Sequence, residues 1–360
     1  MKRLLALDGG GIRGVFSVEI LARIESLLRT RTGNPELLLA DYFDYIAGTS
    51  TGAIIATCLA WGMSVNEVRH LYATRAVEMF RAAPIYRRFW AKFDADAMIS
   101  IFKAVLSEDG KGQIPSLLGT KKLRTLLTLV MRNHSTGSPW PVSNNPAAKF
   151  NDPALPDCNL KLPLWQLVRA STAAPVYFPP ETIDLGGRKQ VFVDGGITPY
   201  NNPAFLLFLM ATLPAYKLEW ETGVDKMLLL SVGTGRVGTG AGALRGDQMN
   251  LLFHARSVPD ALMESISYEQ DMICRTLGYC RVGEEIDSEL GDFRDIDAAE
   301  ASQRKFTYLR YDHAFTTAEM KLARQQSKAG ISLDNISLIP FLQQIGSAYA
   351  EEHVKADDLL

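Results

Sequence analysis

The sequence predicts an α/β fold of three layers, in which a central, mostly parallel β-sheet is flanked by helices. Up to about residue 235, short apolar segments typical of buried strands alternate with segments of helical period. The composition, 47% hydrophobic and 22% charged over 360 residues, is that of an ordinary globular protein. From about residue 249 the chain is expected to be mainly helical. We therefore predict a core of residues 1–240 and a C-terminal region of residues 241–360 packed on it.

The first elements alternate in the order that such a sheet requires. Residues 2–7 predict a short buried strand that ends at three glycines, and residues 15–28 follow with apolar side chains at a helical period. Residues 42–47 predict the second strand. Residues 53–60 are apolar nearly all round, which is typical of a helix buried beneath a sheet. The segment from Ser64 to Glu67 has the form of a capping box and predicts the start of a further helix.

The later elements continue this pattern after one interruption. Residues 138–163 are rich in proline and asparagine and predict an irregular segment. The elements expected after it are a helix at 164–170, a strand at 191–193, a helix at 203–213, a buried strand at 227–232, a flexible link at 235–246 and a strand at 306–311.

Composition also narrows the kind of function. A net charge of −2 argues against a nucleic acid polymer as the main partner. The apolar N-terminal segment breaks off at Asp8, sooner than a secretory signal would. Residues 204–211 are the longest lipid-like stretch and are too short to cross a bilayer, so any membrane contact should be peripheral. The four cysteines and five histidines are scattered, which favours free cytosolic thiols and predicts neither a metal site nor a cofactor.

Ser50 lies in the strongest local motif, Gly48-Thr49-Ser50-Thr51-Gly52. A serine between two glycines, after a strand and before a helix, is typical of a nucleophile elbow, because only small flanking residues allow so tight a turn. The start of the following helix would also offer N–H dipoles to an adjacent anion. A plain loop is the alternative, since the pattern is common by chance, but the strand–turn–helix setting favours a catalytic serine.

A glycine-rich motif at residues 8–14 admits two interpretations. It fits the dinucleotide-binding pattern G-x-G-x-x-G, which needs an acidic residue after a second strand about 20 residues further on. Residues 31–35 provide neither. In the other interpretation, glycine N–H groups stabilise a developing negative oxygen and an arginine adds positive charge or fixes the loop. The elbow downstream favours this oxyanion loop, whose residues are Gly9, Gly10, Gly11 and Arg13, supported by Gly14.

Asp194 directly follows the strand expected at 191–193 and precedes Gly195 and Gly196. An aspartate at a strand end beside two glycines could face Ser50. With a pKa of about 3.9, a free aspartate is a poor base at neutral pH. Burial next to the serine would raise that pKa, or the carboxylate could act by orienting and polarising the hydroxyl. The alternative is a turn aspartate that caps the segment starting at Ile197.

Together and in this order, the three motifs resemble the patatin-like phospholipase family. Four further segments agree with that family, namely residues 40–44, 169–179, 201–203 and 231–235, so the resemblance covers about residues 3–236. One departure is Ala53, where many relatives have glycine. Because alanine is the better helix former, we expect little functional consequence.

The resemblance implies a patatin-like fold and a Ser–Asp dyad without histidine, which hydrolyses acyl esters of phospholipids or other lipids through an acyl-enzyme. It assigns Ser50 as the nucleophile and Asp194 as the proton acceptor, with the glycine loop as the oxyanion hole and Arg13 assisting. The glycines that support these motifs are Gly14, Gly48, Gly52, Gly195 and Gly196. It further implies a membrane phospholipid substrate and a cytoplasmic enzyme that acts peripherally on the inner membrane surface.

The segment from Arg69 to Phe93 combines basic and aromatic residues. It has one acidic residue, Glu78, against six basic ones: Arg69, Arg75, Arg81, Arg87, Arg88 and Lys92. Its aromatic and long apolar residues are Tyr72, Met79, Phe80, Tyr86, Phe89, Trp90 and Phe93. Such a segment could sit on anionic lipid headgroups and feed substrate to the serine. It could equally be an amphipathic cap whose aromatics pack on the core.

Within the C-terminal region, residues 263–277 and 284–292 resemble the corresponding segment of bacterial patatin phospholipases that serve as effectors of CBASS antiphage systems. That resemblance implies antiviral defence, in which a cyclic dinucleotide switches on membrane-lipid hydrolysis, and it is compatible with an oligomer. It assigns no nucleotide-contacting residues.

Three other hypotheses stay open on the sequence. An α/β-hydrolase would use a Ser–Asp–His triad with His254 or His313, although the N-terminal glycine loop fits it poorly. A constitutive esterase or lipase would lack nucleotide control. A nucleotide-binding module would bind its ligand without turnover.

Overall fold

A single mixed β-sheet forms the middle layer of the fold. The computed structural model describes residues 1–84, 86, 90–237, 251–294 and 298–359, with the backbone alone for 251–260 and 298. The strands in these ranges are β1 (Lys2–Leu7), β2 (Tyr45–Thr49), β3 (Leu126–Asn133), β4 (Ser138–Ser143), β5 (Glu181–Leu185), β6 (Arg188–Asp194), β7 (Met227–Val232), β8 (Tyr279–Val282) and β9 (Thr307–Tyr311).

Helices precede, separate and follow these strands. The described α-helices are α1 (Gly14–Thr32), α2 (Leu39–Tyr42), α3 (Thr51–Ala60), α4 (Val65–Met79), α5 (Asp96–Val105), α6 (Leu164–Ser171), α7 (Ala204–Thr212), α8 (Leu251–Leu277), α9 (Ala298–Gln303), α10 (Thr317–Gln326) and α11 (Ile339–His353). Within the described ranges, none of them combines the length and the apolar character needed to span a bilayer.

The sheet has the strand order β5-β6-β3-β2-β1-β7-β9-β8, and β4 pairs with β3 outside this path. Neighbours from β3 through β2, β1, β7 and β9 to β8 run parallel. Strands β4, β5 and β6 pair in antiparallel fashion at the other end. The prediction of a mostly parallel central sheet is therefore confirmed.

Both faces of the sheet are covered by helices, because the central strands are apolar on both sides. Leu5 and Leu7 of β1 belong to a core shared with α1, α3, α4, α6 and α11. Leu4 and Ala6 of the same strand point to the opposite face and pack with α7 and the end of α8. This alternation, with period two along the strand, produces the three layers that the sequence predicts.

Local signals set several helix positions. All ten residues of α3 are buried, which explains why that segment is apolar nearly all round. At the start of α4 the predicted capping box is confirmed. The Ser64 hydroxyl accepts a hydrogen bond from the Glu67 N–H, and the Glu67 carboxylate accepts one from the Ser64 N–H at 2.7 Å.

Two of the expected segments need correction. The second strand begins at Tyr45 rather than at residue 42, because Leu39–Tyr42 form the short helix α2, where the Asp41 side chain accepts a hydrogen bond from the Leu38 N–H. Residues 138–163 are not irregular throughout, since Ser138–Ser143 form β4. This strand contains Pro139 and Pro141, which are tolerated because, among the described strands, β4 pairs only with β3.

The C-terminal region contributes to the sheet as well as to the helical layers. The expected strand at 306–311 corresponds to β9, which pairs with β7, and the short strand β8, absent from the sequence prediction, pairs with β9. The division at residue 240 remains a prediction. Of the expected flexible link at 235–246, residues 238–246 lie outside the described ranges.

Candidate active site

Ser50 occupies the sharp turn between β2 and α3. Its backbone has φ 54° and ψ −121°, a conformation that non-glycine residues rarely adopt. Only small neighbours fit here, because a Cβ atom on Gly52 would lie 2.2 Å from the Leu7 carbonyl oxygen. The predicted nucleophile-elbow geometry is thus present. Ser50 lies in a strained turn, directly before the buried helix α3.

The Asp194 side chain is the hydrogen-bond partner of this serine. The Ser50 hydroxyl donates to Asp194 Oδ2 at 2.6 Å, and the Gly196 N–H donates to Oδ1 at 2.7 Å. Asp194 is 2% exposed and Ser50 is 9% exposed, so water has little access to this pair. The sequence left two positions open for this aspartate, and the structure combines them. The carboxylate faces Ser50 and also caps the turn at Gly195–Ile197.

The pair meets because β2 and β6 occupy successive parts of one edge of β3. Thr49 at the end of β2 lies beside Val130, and Asp194 at the end of β6 lies beside Met131, the next residue of β3. Because β4 occupies the opposite edge of β3, β2 and β6 share the remaining edge. The C-terminal ends of β2 and β6 therefore face each other. The approach is close enough that a Cβ atom on Gly195 would lie 2.3 Å from the Val130 carbonyl oxygen.

Burial changes the acidity of Asp194. It raises the pKa of this carboxyl group from 3.8 to about 6, against the opposing effect of the hydrogen bonds from Ser50 and Gly196. A carboxylate of this basicity accepts a proton more readily than an exposed aspartate while remaining largely ionised at neutral pH. This is the shift that the sequence analysis expected from burial next to the serine.

The glycine loop begins directly after β1, the strand adjacent to β2. The Gly9 N–H is already used, since it donates to the Asn201 carbonyl oxygen at 3.1 Å. Within the described ranges, no acceptor is bonded to the N–H of Gly10 or Gly11, and both residues line the cavity that contains Ser50. Of the three glycines predicted to form the oxyanion hole, Gly10 and Gly11 therefore have N–H groups available to a ligand.

Arg13 lies on the other side of this loop. Its Nε atom donates to the Gly10 carbonyl oxygen at 3.4 Å, and the residue lines a polar cavity next to the loop rather than the one containing Ser50. Of the two roles considered, this position favours fixing the loop. Gly14 begins α1, against Thr51 at the start of α3.

Ser171, at the end of α6, holds the elbow in place although the sequence analysis gave it no role of its own. Its hydroxyl accepts a hydrogen bond from the Ser50 N–H at 3.0 Å and donates one to the Val130 carbonyl oxygen at 2.6 Å. The residue lies within the family-like segment 169–179, which was the available signal, but its contacts depend on how α6 lies against β3.

The C-terminal region also contacts the glycine loop. The Leu333 carbonyl oxygen accepts a hydrogen bond from the Ile12 N–H at 2.7 Å. Arg310 on β9 forms two hydrogen bonds to Asp8, at 3.0 and 2.7 Å, and all of these side chains are buried. In α8, Ser267 accepts a hydrogen bond from the Asn201 side chain at 2.9 Å. Sequence reasoning missed these contacts, because each joins residues that are far apart in the chain.

The cavity above Ser50 is apolar and small, with a volume of about 50 Å³. Ligand pockets usually have volumes of about 300–1,000 Å³. Met263 of α8 and Leu333 close the cavity on the C-terminal side. Its remaining apolar and aromatic walls include Ile54, Tyr72, Met79, Phe80, Met98, Tyr177 and Phe178. The site as described is therefore closed to a long acyl chain.

Histidines take no part in the described cavity. His313 contacts Glu284 and Glu319 instead, and the side chain of His254 lies outside the described part of the chain. Among the residues described, no group of three or more histidine, cysteine and acidic side chains could hold a metal ion. The four cysteines are buried and free.

The basic and aromatic segment divides into two parts. Tyr72, Met79 and Phe93 are buried in the core, as expected of a cap, whereas Tyr86 and Trp90 are exposed. Arg87, Arg88 and Phe89 lie outside the described residues.

Comparison with known proteins gives a consistent result. The model of the family described as patatin-like phospholipase matches residues 5–208. The chain is 32% identical over 246 residues to a cGAMP-activated phospholipase of Vibrio cholerae, a match covering 64% of both chains. It is 30% identical over 247 residues to a cGAMP-activated phospholipase of Escherichia coli, covering 64% of this chain and 62% of that one. It is 29% identical over 252 residues to Patatin-1-Kuras 2 of Solanum tuberosum, covering 65% and 63%. The matches thus span less than two thirds of these relatives' lengths.

Proposed function

The chain belongs to the patatin-like phospholipase family, and we propose that it is a lipid acyl hydrolase with a Ser50–Asp194 dyad. The observation that carries the proposal is the hydrogen bond from the Ser50 hydroxyl to the buried Asp194 carboxylate at 2.6 Å. The substrate class is an acyl ester of a phospholipid, in keeping with the apolar walls of the cavity. The proposed location is the cytoplasmic side of a membrane, with peripheral contact.

In the proposed reaction, the Ser50 Oγ atom attacks the ester carbonyl carbon while its proton passes to Asp194. The N–H groups of Gly10 and Gly11 stabilise the resulting oxyanion, aided by the positive end of the α3 dipole. Asp194 then returns the proton to the departing alcohol oxygen, which leaves an acyl-enzyme. Water, deprotonated by Asp194, attacks the acyl-enzyme and releases the fatty acid, and the proton returns to Ser50.

Hydrolysis of a water-soluble short-chain ester tests the dyad. We expect Ser50→Ala and Asp194→Asn each to lower kcat/KM at least about a thousandfold, because the nucleophile and its base act as a unit. The exposed residues Ser265 and Asp184 provide matched controls, Ser265→Ala and Asp184→Asn, which should keep full activity. Turnover that survives Ser50→Ala would refute the dyad. A wild-type protein without any ester turnover would instead leave a nucleotide-binding module without hydrolysis as the better hypothesis.

We further propose that a cyclic dinucleotide controls the activity, as part of an antiphage response. Two relatives are named cGAMP-activated phospholipases. The closed cavity supports control of this kind, since Met263 and Leu333 must move before a long acyl chain can enter. Phospholipid hydrolysis measured with and without a panel of cyclic dinucleotides should rise with one of them. Equal rates with every nucleotide would leave a constitutive esterase.

A further inference from the structure

A short hairpin stands at the rim of the catalytic cavity. Its strands pair through the Ala83 N–H, which donates to the Lys92 carbonyl oxygen at 3.0 Å, and the Asp94 N–H, which donates to the Arg81 carbonyl oxygen at 3.0 Å. We call the described residues 81–84, 86 and 90–94 the rim hairpin. The Lys92 N–H in turn donates to the Val176 carbonyl oxygen at 2.9 Å, which fixes the hairpin beside the segment containing Val176.

The inner side of the rim hairpin is continuous with the wall of the cavity. Phe93 packs against Phe80, with ring centroids 5.4 Å apart, and against Phe178, at 5.5 Å. It also stacks on Tyr177 at 6.4 Å. Phe80, Tyr177 and Phe178 all line the cavity above Ser50. A molecule that meets the outer side of the hairpin is therefore next to the route to the serine.

The outer side exposes large apolar and aromatic groups. Trp90 is 77% exposed, Tyr86 is 71% exposed and Val176 is 60% exposed. Val176 has φ 73°, a backbone conformation that β-branched residues strongly disfavour. Strain of this kind persists only where the surrounding structure imposes it and is concentrated at functional sites. Here it directs an apolar side chain to the surface next to Tyr177.

Positive charge accompanies these apolar groups. Arg81 and Lys92 are exposed, and the Lys92 Nζ atom lies 5.8 Å from the Tyr177 ring centroid while also pairing with Asp334. Aromatic side chains with interspersed basic residues are the composition of surfaces that bind the headgroup region of an anionic bilayer. Continuity with the catalytic cavity favours a bilayer over a protein as the partner, because the lipid is also the proposed substrate.

We propose that the rim hairpin and Val176 form the membrane-docking surface of this protein, and that the partner is a bilayer containing anionic phospholipid. This inference rests on the proposed function for its choice of lipid as partner. The Trp90 and Val176 side chains enter the headgroup region, Arg81 and Lys92 contact anionic headgroups, and a lipid acyl chain leaves the bilayer along the aromatic wall toward Ser50.

Co-sedimentation with vesicles tests this surface separately from catalysis. The Ser50→Ala protein is used so that the lipid stays intact, with vesicles of phosphatidylcholine and phosphatidylglycerol, in the presence and absence of cGAMP. Adding Trp90→Ala and Val176→Ser should weaken vesicle binding at least about tenfold, because two apolar insertions are lost. When Trp90→Phe is made in place of these two changes, vesicle binding should stay close to that of the Ser50→Ala protein. Binding should also weaken with pure phosphatidylcholine or with added salt.

Phe150 is the matched control, since it is an aromatic residue 53% exposed beside Lys149 but outside the hairpin. Phe150→Ala should leave vesicle binding unchanged, and thermal unfolding should show that each variant is folded. Binding that is unaffected by the hairpin variants, or absent with and without the nucleotide, would overturn the docking surface. Failure of the wild-type protein to hydrolyse a soluble ester, both without a nucleotide and with each cyclic dinucleotide, would instead count against the proposed function, since that assay needs no membrane.

Discussion

Two opposing effects act on the ionisation of the Asp194 carboxyl group. It is buried, which favours its neutral form, yet it accepts hydrogen bonds from Ser50 and Gly196, which favour the charged form. The balance raises the pKa of its carboxyl group to about 6. A proton acceptor must be ionised in the resting enzyme, so acidification should switch the proposed chemistry off before it affects exposed aspartates.

This balance predicts the pH dependence of the proposed hydrolysis. With a soluble ester, kcat/KM should be constant above about pH 7 and fall about tenfold per unit below pH 6, as Asp194 becomes protonated. Circular dichroism at each pH separates this effect from acid unfolding. A profile that stays flat to about pH 4.5 in a folded protein would show that the ionised Asp194 is not required.

Among single residues, those within short motifs could be predicted and those defined by tertiary contacts could not. Ser50 is identifiable because its flanking glycines and the strand–turn–helix pattern are local. Gly9 illustrates the limit. It belongs to the motif, but its N–H is bonded to Asn201, and only the packing of the distant segment shows that this donor is already used.

At the scale of elements, the position of α8 could not be predicted from the sequence. Its helical character was expected, but no local pattern indicates that it lies beside the cavity above Ser50. Met263 lines both the cavity above Ser50 and the polar cavity beside the glycine loop. In addition, Ser267 accepts a hydrogen bond from Asn201. A shift of α8 would therefore change the cavity and the loop together.

Truncating Met263 should open the closed site. We expect Met263→Ala to raise the rate at which the unliganded enzyme hydrolyses a soluble long-chain ester by about threefold to tenfold, because it removes one of the side chains that obstruct the acyl chain. The neighbouring Leu262 is 52% exposed, and Leu262→Ala serves as the control, with no expected change. Equal rates for wild type and Met263→Ala would mean that α8 does not limit access.

For the whole molecule, the mostly parallel sheet and its three layers could be predicted because buried strands and helices alternate in the sequence. The strand order could not, because pairing of β9 with β7 joins segments that carry no shared local signal. The C-terminal region thus completes the sheet. It also supplies Arg310, whose guanidinium group lies between the buried carboxylates of Asp8 and Asp312.

Arg310 should therefore be important for the stability of the whole fold. We expect Arg310→Leu to lower the free energy of unfolding by about 3–5 kcal/mol, because the buried Asp8 carboxylate would lose its counter-charge. Asp312 would lose Arg310 but keep its ion pair with Arg236 at 3.6 Å. The exposed pair Arg75–Glu78 provides the comparison, and Arg75→Leu should cost less than about 1 kcal/mol. Urea denaturation measures both. Similar losses for the two variants would contradict the structural role given to Arg310.

The pairing of Asp8 with Arg310 has a consequence for biosynthesis. The two residues are 302 positions apart, so a chain still being translated holds Asp8 without its partner until β9 has left the ribosome. Domains whose contacts are so distant in sequence acquire their final structure late. Because Asp8 precedes the glycine loop, we expect the loop to become ordered only after β9 has left the ribosome. Under the proposed function, a nascent chain would therefore lack an ordered oxyanion loop until that point, and we expect it to be inactive.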